Sequence, residues 1–137
     1  MFVLQFDQGG LSLSQRIYLL KHVYGAKINV FKKFLVNKVR LFQKDGKLPR
    51  NRTKTEKDID EIINFEAKLA AIQTTPEARK DHEKFYNLRR ISKMRDYMPL
   101  IDWDRFFYKV APVAAHNYFR SNPQVLIREI AYLHSSE

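Results

Sequence analysis

The sequence of 137 residues contains no cysteine. Disulfide frameworks, cysteine-ligated zinc, iron–sulfur clusters and thiol nucleophiles are therefore excluded. No apolar run approaches the ~20 residues that a membrane-spanning helix needs, and no charged and then apolar leader follows Met1. We therefore expect neither a membrane span nor an export signal within this chain.

The composition is that of an ordinary globular protein. Hydrophobic residues make up 45% and charged residues 29% of the chain, which is untypical of a disordered protein. Lysine and arginine number 25 against 15 aspartate and glutamate residues, for a net charge of +10. This excess favours a polyanionic partner, so nucleic-acid binding is one hypothesis to be weighed.

A short strand and a short helix are predicted at the start of the chain. Residues 1–7 alternate loosely between apolar and polar, as a strand does. Ser12 and Gln15 have the spacing of a capping box and predict the start of a helix over 13–24. Gly25 is expected to end that helix.

Two longer helices are predicted to follow. From 26 to 44 apolar residues recur every three or four positions, which predicts an amphipathic helix that ends near Gly46. Thr53 and Glu56 form a second capping box, and the next helix is expected to continue to Thr74. The apolar positions of the first of these helices are Ile28, Phe31, Phe34, Leu35, Val39 and Phe42.

The second half of the chain predicts shorter elements. In order, these are a short helix that begins at Thr75 and Pro76, one or two turns from Ser92 to Tyr97, a helix capped by Asp102, a loop over 111–124, a strand over 125–127 and the opening of a helix over 129–133. The predicted fold is therefore mainly α, with one or two short strands near the ends. No repeat or second domain boundary is visible, so residues 1–137 are expected to form a single partial domain.

No metal or catalytic site is complete in the sequence. His82 and Glu83 begin the H-E-x-x-H pattern of zinc proteases, but Tyr86 stands where the second histidine is needed. A solvated pair on a charged segment is the simpler interpretation. The remaining histidines have no helically spaced His or carboxylate partner that would complete a set of three ligands; they are His22, His116 and His134. The chain also lacks a G-x-S-x-G elbow and a phosphate-binding glycine loop.

Basic and aromatic residues are interleaved between 79 and 97, and this pattern is the basis for an alternative hypothesis, nucleic-acid binding. A small basic helical protein that binds nucleic acid would use such residues for phosphate contacts and base stacking. Basic residues are, however, spread along the whole chain rather than gathered in one recognised motif. The set comprises Arg79, Lys80, Lys84, Arg89, Arg90, Lys93 and Arg95, with Phe85, Tyr86 and Tyr97.

The order of several local motifs resembles a known enzyme family. The segment 8–18, Q-G-G-L-S-L-S-Q-R-I-Y, resembles the Q-P-x-L-G-L-P-x-R-x-Y segment of the neprilysin and endothelin-converting-enzyme family of zinc metalloendopeptidases. Gly9, Ser12 and Ser14 depart from that pattern, so the first turn is expected to differ in detail. Further landmarks follow in the family's order: F-E-A-K-L-A at 65–70, R-K-D at 79–81 with Y-N at 86–87, I-D-W at 101–103, and Y-L at 132–133.

This resemblance implies a piece of the family's N-terminal helical region, a lobe that closes over the cleft of the zinc domain and limits substrates to peptides. In the family, zinc is held by the two histidines of H-E-x-x-H and a downstream glutamate, all of which would lie beyond Glu137. We therefore assign no catalytic, metal-binding or cofactor-binding residue to this chain and expect it to be inactive alone. Zinc is implied only as the cofactor of the intact enzyme.

The resemblance also implies partners and a location. The expected partner is the family's catalytic domain, with peptides as substrates of the intact enzyme and no nucleic acid. Family members are generally type II membrane or secreted proteins, so an extracellular or plasma-membrane ectodomain is implied. We expect the chain to be truncated at both ends and to expose apolar surface that neighbouring parts would cover. Docking of the isolated segment on a full-length relative is a further possibility.

One short motif agrees with an extracellular location. Asn51, Arg52 and Thr53 form an N-glycosylation sequon. It lies in the segment 45–55, which combines Gly, Pro and basic residues and predicts an exposed loop. Asn51 is therefore a candidate glycosylation site.

Overall fold

A computed structural model of the chain describes residues 4–135. These residues divide into two compact units, one formed by 4–9 with 72–135 and the other by Gly10–Ala71. Most elements are helical and a small three-stranded sheet accompanies them, which confirms the predicted fold class. The expectation of a single partial domain over 1–137 stays a prediction. No helix within the described residues is long and apolar enough to cross a membrane.

Three helices build the unit over Gly10–Ala71. They are α1 (Gln15–Leu19), α2 (Lys21–Asp45) and α3 (Arg52–Ile72). The buried core of this unit consists of Tyr18, Val36, Ile59, Ile63 and Ala70. The three core residues of α3 recur at helical spacing, as one face of an amphipathic helix requires.

The prediction that Gly25 ends a helix is wrong. Gly25 lies inside α2, and its φ angle is not positive, so it does not form the left-handed cap that a stop requires. The break between α1 and α2 falls instead at Leu20, where φ is −108° and ψ is 50°. Glycine inside a helix costs about 0.5–1 kcal/mol relative to alanine, which the packing of a 25-residue helix outweighs.

Both predicted capping boxes are replaced by other contacts. The Ser12 hydroxyl donates to Glu66 instead of capping α1, whose N-cap is Ser14. At α3 the cap is Asn51, whose Oδ1 accepts the backbone N–H of Lys54 at 2.9 Å. Asn51 therefore caps α3 in place of Thr53, whereas the side chain of Ser14 makes no capping hydrogen bond at α1.

The predicted end of the long amphipathic helix is confirmed. The helix stops at Asp45, and the N–H of Gly46 donates to the carbonyl of Phe42 at 2.9 Å. The next residue, Lys47, takes the left-handed conformation with φ of 53°. The chain then runs over exposed residues to the start of α3.

The other unit contains a small mixed sheet. Its strands are β1 (Gln5–Phe6), β2 (Asn87–Arg90) and β3 (Gln124–Ile127), in the order β1-β3-β2. β1 pairs with β3 in parallel and β2 pairs with β3 antiparallel. The strands predicted over 1–7 and 125–127 are confirmed, except that residues 1–3 lie outside the described part. β2 was not predicted, because its N-L-R-R sequence lacks apolar alternation.

Three short α-helices and several 3-10 turns complete this unit. The helices are α4 (Trp103–Val110), α5 (His116–Arg120) and α6 (Ile130–Ser135). The cap predicted at Asp102 is confirmed, since its Oδ1 accepts the N–H of Arg105 at 3.1 Å. The 3-10 turns are Ala78–Lys80, His82–Phe85, Ile91–Asp96 and Val113–Ala115.

Two predictions in this unit are wrong. The segment 111–124, expected as a loop, contains the single-turn helix α5. The helix expected from Thr75 is only a 3-10 turn, although the Thr75 hydroxyl does accept the N–H of Ala78 at 3.3 Å. Elements of one turn carry too few residues for a helical period to be visible.

The core of this unit is aromatic and lies between the sheet and α4. Phe107, Met94, Ile127 and Val125 are almost completely buried. Trp103 packs edge to face on Phe6, with ring centroids 5.6 Å apart, and its indole N–H donates to the carbonyl of Met98 at 3.0 Å. The Trp of the I-D-W motif is therefore a core residue whose one polar atom is satisfied.

Candidate functional site

The resemblance to zinc enzymes makes a metal centre the first candidate site. His22 and His82 are exposed, while His116 packs against Tyr108 and His134 against Tyr97. Within residues 4–135 no three His, Cys, Asp or Glu side chains come close enough together to hold a metal ion. The described residues therefore do not fit zinc.

The motif residues instead meet in two polar clusters. The first, called here the Glu66 cluster, consists of Ser12, Tyr18 and Glu66. Both the N–H and the hydroxyl of Ser12 donate to Glu66 Oε1, at 3.1 and 2.7 Å. The Tyr18 hydroxyl donates to the other carboxylate oxygen, Oε2. The Glu66 side chain on α3 thus holds Ser12, which precedes α1, and Tyr18, which lies in α1. The first motif (8–18) and the second (65–70) therefore meet at the Glu66 carboxylate.

Burial shapes the chemistry of the Glu66 cluster. Tyr18 is only 3% exposed. Burial, and after it the hydrogen bond to the Glu66 carboxylate, raises the pKa of Tyr18 well above its ordinary value of 10.0. At neutral pH the phenol is therefore a fixed hydrogen-bond donor. It holds its acceptor in place and is not available as a base.

The second cluster, called here the Arg79 network, joins Asp7, Arg79 and Glu129. Arg79 Nη2 donates to both carboxylate oxygens of Asp7, at 2.7 and 2.6 Å. Arg79 Nε lies 3.3 Å from Glu129 Oε1, within ion-pair distance. Glu129 is only 3% exposed, and its Oε2 accepts the hydroxyl of Thr74 at 2.7 Å. Arg128 adds a longer contact, with Nε 3.8 Å from Asp7 Oδ2.

A reciprocal amide pair extends this network. Gln8 Nε2 donates to the carbonyl of Thr74 at 3.0 Å, and the N–H of Thr74 donates to Gln8 Oε1 at 2.9 Å. Gln8 is the first residue of the first motif, and Arg79 belongs to the third. The Gln8 and Arg79 side chains thus connect the residues after β1 with those after α3, which is a structural role.

The remainder of the third motif is also structural. Lys84 Nζ lies 3.1 Å from Asp81 Oδ2, and its hydrogen bond lowers the pKa of the Asp81 carboxyl. Asn87 Nδ2 donates to the carbonyl of Lys84 at 2.9 Å. Phe85 is buried and Tyr86 is exposed.

Several basic residues of the nucleic-acid hypothesis have local partners. Arg89 donates to the Tyr97 hydroxyl at 2.7 Å, and Arg90 donates to the carbonyl of Asn122 at 3.0 Å. Lys93 lies 3.3 Å from Asp96. The ion pair offsets the charge of Lys93, and the two hydrogen bonds hold Arg89 and Arg90 in structural contacts.

Asn51, the candidate glycosylation site, is exposed at the start of α3. Its Oδ1 caps the helix, whereas a glycan would be attached to Nδ2. Capping and glycosylation are therefore compatible at this residue.

A cavity of about 560 Å³ lies beside α2 and α3. Two of its cations are already paired: Lys32 lies 2.6 Å from Asp60, and Arg52 lies 2.8 Å from Glu56. The cavity therefore offers less positive charge than its composition suggests. Its lining residues are Asn29, Lys32, Lys33, Val36, Asn37, Arg40, Arg52 and Glu56.

Comparison with known proteins places these clusters in context. Residues 1–137 match the family model described as peptidase family M13. The chain belongs to this family. Among relatives, Neprilysin-1 of Caenorhabditis elegans is 35% identical over 134 residues, and Neprilysin-11 of the same animal is 32% identical over 135 residues. The predicted resemblance to neprilysin-like peptidases is confirmed.

The M13 relatives are much longer than the chain. The alignments cover 96% of the chain in both cases, but only 18% of Neprilysin-1 and 16% of Neprilysin-11. The mouse protein Neprilysin shows the same proportions, with 22% identity and 18% coverage. The chain therefore corresponds to about a sixth of a neprilysin-like protein.

A solved structure contains the same fold as the chain. The cryo-electron-microscopy structure of the Mycobacterium tuberculosis zinc metalloprotease ZMP1 in its open state aligns with 96% of the chain and has a TM-score of 0.74. The sequences are 20% identical, and the chain covers 19% of that protein. This likeness shows that the fold of the chain recurs inside a larger protein.

The motifs included all three residues of the Glu66 cluster, but in the Arg79 network they included Arg79 and not its partners. Asp7, Thr74 and Glu129 complete the Arg79 network, and none of them was singled out from the sequence as a site residue. Glu129 is 50 residues from Arg79 and was expected only at the opening of a helix. The isoleucines that flank the charged pair in I-R-E-I are the one local signal that a buried charge lies here.

Proposed function

We propose that the chain is the non-catalytic N-terminal helical part of a neprilysin-like zinc metallopeptidase. The main support is that the family model matches the whole chain, while the chain covers only 16–18% of the length of each relative. The zinc site and the residues that cleave the peptide bond would be supplied by another part of the longer polypeptide. That catalytic domain is the proposed partner, and peptides are the proposed substrates of the intact enzyme.

In this proposal the two polar clusters act as braces. The Glu66 cluster holds the segment before α1 on α3, and the Arg79 network holds the ends of the sheet. Such braces would maintain the shape of a lobe against which a catalytic domain could close. Membership of a peptidase family does not favour the nucleic-acid-binding alternative.

Purified chain provides the test. We expect it to retain no stoichiometric zinc by elemental mass spectrometry and to show no chelator-sensitive cleavage of a fluorogenic peptide. A His82→Ala variant serves as the matched control, because His82 belongs to the one partial zinc-binding pattern. Stoichiometric zinc together with chelator-sensitive cleavage, both lost in His82→Ala, would contradict the proposal.

We also propose that the protein is an extracellular or plasma-membrane ectodomain and carries a glycan at Asn51. The support is the exposed sequon at the start of α3. Material secreted by animal cells should lose mass on treatment with an N-glycosidase. Both Asn51→Gln and Thr53→Ala should abolish the shift, whereas Thr53→Ser should keep it. An unchanged mass in secreted wild-type protein would rule the glycan out.

A further inference from the structure

Four apolar side chains form an exposed stripe along α2. Val23, Val30, Phe34 and Leu41 are 59%, 67%, 51% and 54% exposed. Their spacing of seven, four and seven residues places them within about 40° of one another around the helix and along about 27 Å of its length. We call these four residues the α2 stripe.

The α2 stripe lies on the far side of the helix from the core. The side that packs on α3 carries Val36, which is buried, and Ile28, Leu35 and Val39, which are partly buried. At 100° per residue these positions point about 120–160° away from the centre of the stripe. A helix that is apolar on two opposite faces is typical of one buried on both. The second face of α2 therefore has the character of an interface.

Cations border the stripe on both flanks. Lys27 and Lys38 lie on one side, and Lys38 Nζ sits 5.4 Å from the centre of the Phe34 ring. Lys33, Arg40 and Lys44 lie on the other side. The only acidic residue in α2 is Asp45, at its last position. A partner that covers the stripe must therefore be apolar at its centre and acidic at its edges.

We propose that the α2 stripe packs against an amphipathic helix whose apolar ridge is flanked by Asp or Glu residues. This rests on the proposed function, because the helix would come from the part of the M13 polypeptide outside these residues. The relatives offer ample chain, since the matched region is at most 18% of each of them. A second copy of the chain fits less well, because two α2 stripes would set cations against cations.

The test uses the 137-residue chain and a synthetic helical probe of about three heptads, with leucine on its ridge and glutamate on both flanks. A matched probe carries lysine in place of glutamate. We expect the glutamate probe to bind at least about tenfold more tightly than the lysine probe, and to weaken in high salt. Equal binding of both probes, or binding of neither, would overturn the proposal.

Variants locate the binding surface. The double substitution Val30→Ser with Phe34→Ser should reduce binding about tenfold or more, because it removes the centre of the stripe. It should leave the circular dichroism spectrum unchanged, since both side chains are exposed. Val113→Ser, at a residue 81% exposed and outside α2, is the control and should bind like wild type. Equal loss in both variants would contradict a site on the stripe.

Other occupants give different results. Stripe-dependent binding to vesicles that contain phosphatidylserine, without binding to the glutamate probe, would replace the helix with an anionic membrane. A dimer in light scattering that the double substitution dissolves, again without probe binding, would replace it with a second copy. None of these measurements depends on peptide cleavage, so the stripe proposal can fail while the proposed function stands.

Discussion

Arg79 binds both carboxylate oxygens of Asp7, although 72 residues separate them in the chain. The same guanidinium faces the carboxylate of Glu129, which is almost completely buried. One cation therefore compensates two anions that arrive from opposite ends of the sequence. This arrangement leads to the first prediction.

Replacement of Arg79 by alanine should lower the free energy of unfolding by about 2–4 kcal/mol, because it leaves the Glu129 carboxylate buried without its cation. Urea denaturation measures the change. Arg95→Ala, at an exposed arginine, is the matched control and should cost at most about 0.5 kcal/mol. Adding Glu129→Gln to Arg79→Ala should recover part of the loss, since the orphaned charge is then removed. Full additivity of the two substitutions would show that the ion pair is not formed.

Tyr18 should make stability fall at high pH. Because burial and the Glu66 hydrogen bond raise its pKa in the folded state, its contribution is complete below the ordinary value of 10.0 and is lost as the pH rises above it. Urea midpoints of wild type and Tyr18→Phe, compared between about pH 8 and about pH 11, isolate this effect from the titration of lysines. The wild type should lose more stability than the variant. Parallel curves would show that Tyr18 has an unshifted pKa.

Gly25→Ala should stabilise the protein by about 0.5–1 kcal/mol. Gly25 lies inside α2 without a positive φ, and a Cβ added there would meet nothing within 4 Å. Gly46→Ala is the natural control, because its added Cβ would lie 3.2 Å from the carbonyl oxygen of Phe42. Thermal melting should therefore rise for the first variant and rise less, or fall, for the second. A lower melting temperature for Gly25→Ala would indicate a break at Gly25 after all.

Two substitutions decide which residue caps α3. Asn51→Ala should cost about 1 kcal/mol, because the N–H of Lys54 loses its acceptor. Thr53→Ala should cost clearly less, since Thr53 lies inside the first turn. Chemical denaturation of unglycosylated protein gives both values. A larger loss for Thr53→Ala would restore the capping box that the sequence predicted.

Local signals in the sequence were reliable where one side chain decides the structure. Asp102 caps α4 and Gly46 follows α2, as predicted, because each acts within one turn of its own position. Gly25 failed as a stop because packing along the whole of α2 outweighs one local preference. The short elements β2 and α5 were missed because four or five residues carry no readable period.

The polar clusters were beyond local reasoning for a different reason. Glu66 and Arg79 stood out only as members of motifs, and nothing near them in sequence indicates what they bind. Their partners are 48 to 72 residues away and are fixed by the tertiary fold.

The exposure of the α2 stripe was not predicted from the sequence. Phe34 shares the three-to-four spacing of the apolar positions predicted for this helix, whereas the fold leaves it 51% exposed.

The proposed role of these residues is to shape a peptidase without taking part in its chemistry. A hybrid protein tests it most directly: C. elegans Neprilysin-1 with its matching region replaced by residues 1–137, assayed for zinc-dependent peptide cleavage. We expect the hybrid to be active, His82→Ala to leave its kcat unchanged, and Arg79→Ala to lower the amount of folded enzyme more than its kcat. A folded, zinc-loaded hybrid without activity would contradict the proposed role, as would one whose kcat falls with His82→Ala.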